Sequence, residues 1–233
     1  MSLTLPSVAV VDIASVAAVP DVVTSFDALA PGDALLARTV ARPEALLDAL
    51  RSTRQGTYEW APLVEGPGHW EVEIHKRAAS RGAIRGVNEA LGWDHDRLDA
   101  IELRATEAWD AGRARDGARL HQRFVFGLLR HIRFEESVLF PEFERLTGVA
   151  PDRGPTAVMR VEHRLIEVLL DEVAAAADRG LRPPVHARDD LRATLENHNV
   201  KEENVLYPLL DRTLAAAEAD ALVFQFQSME PAR

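Results

Sequence analysis

Two eleven-residue segments of this chain read alike: H-I-R-F-E-E-S-V-L-F-P from His131 to Pro141, and H-N-V-K-E-E-N-V-L-Y-P from His198 to Pro208. On a helix, residues i and i+4 share a face about one turn apart. Each segment therefore aims an imidazole and a carboxylate at a common point, His131 with Glu135 and His198 with Glu202. Imidazole plus carboxylate at that spacing is a metal-ligand pair, and it occurs twice. An acid followed by histidine stands upstream of each copy, in W-D-H-D-R from Trp93 and in V-E-H-R from Val161. His163 lies 68 residues after His95 and His198 lies 67 after His131. Four histidines at a constant period mark two copies of one helical hairpin, packed together because neither buries its apolar face alone.

The elements that must position these residues are four long helices. The pattern predicts a first helix from Asn88 to Asp110 and a glycine-rich connection from Ala111 to Ala118. A second helix follows to Leu146, and a break from Thr147 to Pro155 separates it from a third, Thr156 to Arg179. Gly180 to Pro184 turns the chain into a fourth, ending near Ala217. His95 lies 17 residues before Gly112 and His131 14 after Gly117, while His163 lies 17 before Gly180 and His198 14 after Pro184. Antiparallel helices rising about 1.5 Å per residue bring all four histidines to one layer.

The flanking residues Phe124, Leu128, Leu191 and Leu195 are apolar, so imidazoles and carboxylates there carry a desolvation cost unless paired or metal-bound. A single structural zinc needs four ligands, whereas His95, His131, Glu135, His163, His198 and Glu202 suit two six-coordinate ions bridged by the glutamates. Iron is the expected metal, with manganese or zinc as alternatives, and the pairing of histidines to ions is open. Asp99 and Glu167, at i+4 from His95 and His163, are further candidates to touch an ion, its water or its ligands. Glu136 and Glu203 are expected to be solvated or salt-bridged. Tyr207 replaces Phe140 between the copies; core packing is its default role, with a carboxylate of the centre within reach of its hydroxyl. His121 is expected to be structural, about 15 Å along the axis from His131, and His69, His75 and His186 exposed.

The first third of the chain has another character. Val8 to Ile13 reads as a buried strand, Val19 to Leu29 as a helix, Ala34 to Val40 as a strand and Pro43 to Leu50 as a helix. Tyr58 to Val64 and His69 to Ile74 flank Glu65-Gly66-Pro67-Gly68 as a hairpin. The expected architecture is a two-layer β-α-β-α-β-β domain over 1–78, a linker from Lys76 to Gly86, an up-down-up-down bundle over 87–217 and a tail over 218–233. The apolar run from Val8 to Val19 carries Asp12 and lacks a basic flank, so it is not expected to be an export signal.

The 233 residues include no cysteine, which excludes disulfides, thiolate catalysis and Cys-ligated metal clusters and fits a reducing cytoplasm. A net charge of -10 argues against a nucleic-acid or anionic-membrane surface.

The C-terminal two-thirds resembles the hemerythrin-like, HHE cation-binding family. The resemblance rests on D-H-D-R at Asp94, on the two eleven-residue segments and on G-P-T-A-V-M-R-V-E-H-R from Gly154. It implies a four-helix bundle around a non-haem di-iron centre, with ligands at His95, His131, Glu135, His163, His198 and Glu202. Oxygen-carrying members place a second histidine where this chain has Glu167. The ligand set is thus closer to the iron–sulfur cluster repair proteins, although their Cys-containing segment is absent. The implied function is binding of oxygen, nitric oxide or peroxide in sensing or stress response; the alternatives are a di-iron peroxidase or oxidase, a repair-type enzyme, or a structural or iron-handling module. The N-terminal segments F-D-A-L-A-P-G-D-A-L-L and Y-E-W-A-P-L-V-E-G-P-G-H-W-E-V-E-I resemble a small uncharacterised domain that often precedes hemerythrin-like domains. Its element order is similar to the TusA-like sulfur carriers, whose chemistry needs a cysteine. An unknown protein partner is expected for this domain.

Overall fold

The structure is a computed structural model that describes residues 8–64, 66, 68–77 and 86–229. The chain divides into two compact units.

In the first, β1 (Val8–Ile13), α1 (Val19–Asp27), β2 (Ala34–Thr39), α2 (Glu44–Arg54), β3 (Tyr58–Val64) and β4 (Trp70–Lys76) follow the expected order, with a short 3₁₀ turn at Val16–Ala18. The sheet order is β1-β2-β4-β3. β1 runs parallel to β2, with Val10 opposite Leu36, while β4 is antiparallel to both β2 and β3. Ala34 to Ala37 are all buried, as a central strand requires, whereas β1 at the edge buries only Ile13. Val22 and Phe26 of α1 and Leu46, Leu47 and Leu50 of α2 pack on Leu35, Ala37, Trp60, Val72 and Ile74. The predicted linker falls mostly outside the described residues, as do Glu65 and Pro67 of the predicted turn.

The second unit is the bundle. Its helices are α3 (Val87–Asp110), α4 (Ala114–Phe134), α5 (Phe140–Thr147), α6 (Gly154–Ala177), α7 (Val185–Lys201) and α8 (Tyr207–Thr213). Leu98, Ile101, Trp109, Phe124, Leu128, Ile166, Leu170, Leu191 and Leu195 form its core. Asp211 of α8 caps α3, its carboxylate accepting from the backbone N–H of Val87 at 2.6 Å and of Asn88 at 3.1 Å. The sequence assigned no element to the C-terminal segment; a helix, α9, runs there from Ala216 to Ser228. Its residues Val223–Ser228 group with the first unit, where Phe224 packs on the core and lies under the Arg51 guanidinium. No helix among the described residues is long and apolar enough to cross a membrane.

Two local features depart from the sequence reading. The predicted connection Ala111–Ala118 is only three residues long, because α4 starts at Ala114. Gly112, at φ 76°, makes the turn. Gly117 instead serves a close approach inside α4, since a Cβ there would sit 2.4 Å from Trp109 Cδ1. Gly117→Ala is expected to cost about 1–3 kcal/mol in chemical denaturation, as overpacking does; an unchanged midpoint would contradict the contact.

The second departure lies in the repeated segments. Helix α4 passes into α5, and α7 into α8, through single π turns at Glu135–Leu139 and Glu202–Leu206. There the N–H of Phe140 bonds to Glu135 O and that of Tyr207 to Glu202 O, five residues back. Each wide turn ends two residues before a proline, Pro141 or Pro208, whose ring would clash with the carbonyl four residues earlier in an uninterrupted α-helix. The turn also keeps a buried series in phase. His131, Glu135, Leu139 and Phe143 are all buried, although steps of four rotate an α-helical series by about 40° each.

Candidate metal centre

Six side chains from four helices meet in one buried layer: His95 from α3, His131 and Glu135 from α4 and its π turn, His163 from α6, and His198 and Glu202 from α7 and its π turn. Their donor atoms form two groups that share one residue. Glu135, His163, His198 and Glu202 make the first, and His95, His131 and Glu202 the second, with donor atoms in each within 4.8 Å of one another. Within these groups the histidines pair by hairpin. His163 and His198 bring their Nε2 atoms to 3.2 Å, and the His95 and His131 rings stack with centroids 4.6 Å apart.

The Nδ1 atoms are all occupied. His131 donates Nδ1–H to Asp94 at 2.9 Å, His163 to Glu136 at 3.0 Å, His198 to Glu162 at 3.0 Å and His95 to Glu203 at 2.8 Å. These contacts close a ring around the bundle, in which each helix carries one histidine and one carboxylate that holds a histidine of its neighbour. A carboxylate on Nδ1–H fixes the tautomer, turns Nε2 inward and raises its basicity toward a cation. Sequence reasoning left Glu136 and Glu203 as surface acids and did not assign Asp94 or Glu162. The signal was present in the repeat, since both upstream histidines follow an acid and both motifs carry a second glutamate.

The donor set fits bound cations. Glu135 Oε2 and Glu202 Oε1 are buried without a hydrogen-bond partner, an arrangement that ordinarily costs a few kcal/mol per ionised group. Glu135 Oε2 lies 3.3 Å from His163 Nε2, and Glu202 Oε1 lies 3.2 Å from His198 Nε2. Both oxygens therefore face the inward Nε2 atoms of the two histidines.

Tyr207 is more than packing. Its hydroxyl contacts Glu135 Oε1 and lies 2.9 Å from Glu202 Oε2 and 3.3 Å from His131 Nε2. Phe140 stacks on His163 at 5.6 Å and Tyr207 on His95 at 5.9 Å. The two repeats thus place equivalent rings on equivalent histidines, but only one ring carries a hydroxyl. The two donor groups are chemically unlike for that reason.

Asp99 and Glu167 are exposed and stand outside the cluster. Ile166 and Leu170, at i+3 and i+7 from His163, take the inward face of α6, and Leu98 takes the equivalent place on α3. Position i+4 on these two helices is rotated off that face. His121 is buried and bonded to Glu102 at 2.9 Å, beside Trp109, as a structural residue would be. His69 and His186 are exposed, while His75 is half-buried against Glu73.

Electrostatics prepares the site for exchange of protons against cations. Burial would lower the pKa of His131, but Glu135 and Asp94 outweigh it and raise it to about 10. Burial likewise opposes the rise of His198 to about 9, driven by Glu202, Glu135 and Glu162. Asp94 is held well below the usual range against its own burial, by Arg97 at 2.7 Å and by His131. In metal-free protein His131 and His198 are therefore imidazolium ions at neutral pH, whose stabilisation is complete below pH about 6.5 and is lost as pH rises through about 9 to 10. Cation binding must expel those protons and strengthens with pH. The expected result is a gap in melting temperature between metal-loaded and metal-free protein that widens from pH 6 to pH 9. A gap independent of pH would contradict it.

Comparison with known proteins agrees with this geometry. A family model described as the hemerythrin HHE cation binding domain matches residues 87–210, and one described as an uncharacterized conserved protein, DUF2249, matches residues 10–76. An uncharacterized protein of Mycobacterium tuberculosis (strain H37Rv) is 28% identical over 141 residues, covering 56% of this chain and 52% of its own. A protein of Mycobacterium bovis, also uncharacterized, matches to the same extent. An uncharacterized hemerythrin-like protein of Schizosaccharomyces pombe is 28% identical over 142 residues, covering 60% of this chain and 67% of its own. The chain spans about half the length of the mycobacterial relatives. No solved structure matches.

Proposed function

The chain belongs to the hemerythrin HHE cation binding family, and from that premise we propose that it is a non-haem di-iron protein that binds oxygen, nitric oxide or peroxide in sensing or stress response. The observation that carries the reading is the pair of donor groups sharing Glu202, which supports two neighbouring ions rather than one. Imidazole and carboxylate donors suit iron, with manganese and zinc as competitors. When bound, two such ions supply a redox centre able to take up a small ligand.

The residues set the conditions for that chemistry. Asp94, Glu136, Glu162 and Glu203 hold the four imidazoles with Nε2 inward. Glu135 and Glu202 supply negative charge between the two histidine pairs. Phe140, Leu139 and Leu206, all fully buried, keep bulk water from the layer. Reversible oxygen carriage is disfavoured, because α6 offers His163 alone, with Glu167 at the surface.

Tyr207 favours a second reading, a di-iron peroxidase or oxidase. Its hydroxyl touches both carboxylates, and burial together with those two charges raises its pKa well above the ordinary phenol value. Tyr207 therefore stays protonated and is a proton donor at the centre. Mixing the reduced, iron-loaded protein with each ligand separates the readings. A stable ligand-dependent optical band without turnover supports binding and sensing, whereas sustained peroxide consumption supports the enzyme. A protein inert to all three ligands would overturn both.

A further inference from the structure

Helix α6 has a second apolar face that the metal centre does not use. Val158, Val161, Leu165 and Val168 are 49%, 70%, 50% and 64% exposed. Their spacing of three, four and three residues is that of a coiled-coil seam. The inward face of the same helix is already complete in Met159, His163, Ile166, Leu170 and Val173. The repeat does not require the outer stripe: the positions 68 residues earlier on α3 are Ala90, Trp93, Arg97 and Ala100, of which Ala90 and Arg97 are buried. Four large aliphatic side chains at seam spacing on one exposed helix are unusual unless something covers them.

Charge along α6 identifies the occupant. Arg153, Arg160 and Arg164 lie at and after its start, and Glu167, Asp171 and Glu172 follow in its second half. Glu162, bonded to His198 and Lys201, breaks the pattern, and Arg160 is tied to Glu144; Arg164, 3.5 Å from Glu136, and Glu172, 3.4 Å from His186, stay largely exposed beside Arg153, Glu167 and Asp171. An apolar stripe whose flanking charge reverses through its middle is self-complementary under a two-fold rotation, which is what an isologous interface needs. We propose that α6 pairs with α6 of a second copy of this chain, antiparallel and with the two-fold axis near residue 163. Val161 then meets Leu165 of the other copy and Val158 meets Val168. The basic half of each helix faces the acidic half of its mate, and the helix dipoles oppose. A parallel pair would set like charge on like. A helix of 24 residues is about 36 Å long, so the interface is small and the dimer a weak one.

The test uses the full, metal-loaded chain in analytical ultracentrifugation at concentrations up to about 100 μM. The wild type is expected to dimerise reversibly and Leu165→Glu to remain monomeric with unchanged metal content. The natural chain has no cysteine, so orientation can be read by crosslinking. The double variant Val158→Cys/Val168→Cys is expected to form disulfide-linked dimers on mild oxidation. Val158→Cys alone is not, because its two copies lie about 15 Å apart along the axis. A monomeric wild type, a dimer that survives Leu165→Glu, or crosslinking by Val158→Cys alone would each overturn the proposal.

Discussion

Replacing Glu135 and Glu202 together by alanine is expected to empty the centre while leaving the bundle helical. Glu202 belongs to both donor groups, and Glu135, of the first, lies 3.7 Å from His131 Nε2 of the second. Their removal leaves each histidine pair as a two-ligand site. Outer-shell changes alone typically weaken a metal site 10–100-fold, so loss of both carboxylates should exceed about 100-fold. Helicity survives because the apolar core of Leu98, Phe124, Leu128, Ile166, Leu170, Leu191 and Leu195 is untouched. In the metal-free variant His131 keeps Asp94 and His198 keeps Glu162, but both lose the glutamates of the centre, so both pKa values fall from their raised positions. Metal analysis and circular dichroism on the same sample check this. A double variant that retained two ions would eliminate the carboxylate assignment.

Tyr207→Phe is expected to separate the two ion positions. The substitution removes one oxygen and recreates the ring that Phe140 already presents in the other repeat, so packing is preserved. What is lost is the one hydroxyl lying between Glu135, Glu202 and His131. Without metal, a buried carboxylate loses its donor, at a cost of about 1–3 kcal/mol. With metal, retention should fall about 10–100-fold, as for other outer-shell partners, and unequally for the two ions. Melting temperature and stepwise chelator extraction read the two effects. Unchanged values in both would return Tyr207 to core packing.

The bundle and the convergence of the six side chains were legible because the information is periodic. H-x-x-x-E repeats with a matched upstream histidine, and glycines near Gly112 and Gly180 set the helices in register. The strand and helix order of the first unit was legible for the same reason, since alternation in β4 and three-four spacing in α2 are local patterns. What escaped was whatever depends on a neighbour in space. Gly117 looks like a turn residue until Trp109 is seen against it. Asp94 and Glu162 look like helix-surface acids until the imidazole of the adjoining helix reaches them. Asp99 and Glu167 looked like ligands because i+4 holds for the two motifs, but on α3 and α6 that position turns to the surface while Leu98 and Ile166 take the inward face. The π turns that start at Glu135 and Glu202 went unread as well, although Pro141 and Pro208 stand in plain view just beyond them.

Metal content per chain, measured by plasma mass spectrometry on protein purified without chelators and joined to an absorption spectrum before and after dithionite, tests the two-ion centre most directly. The expected result is two irons per chain and a near-ultraviolet band that reduction abolishes. One zinc per chain, or neither metal nor band after reconstitution with ferrous iron, would contradict it.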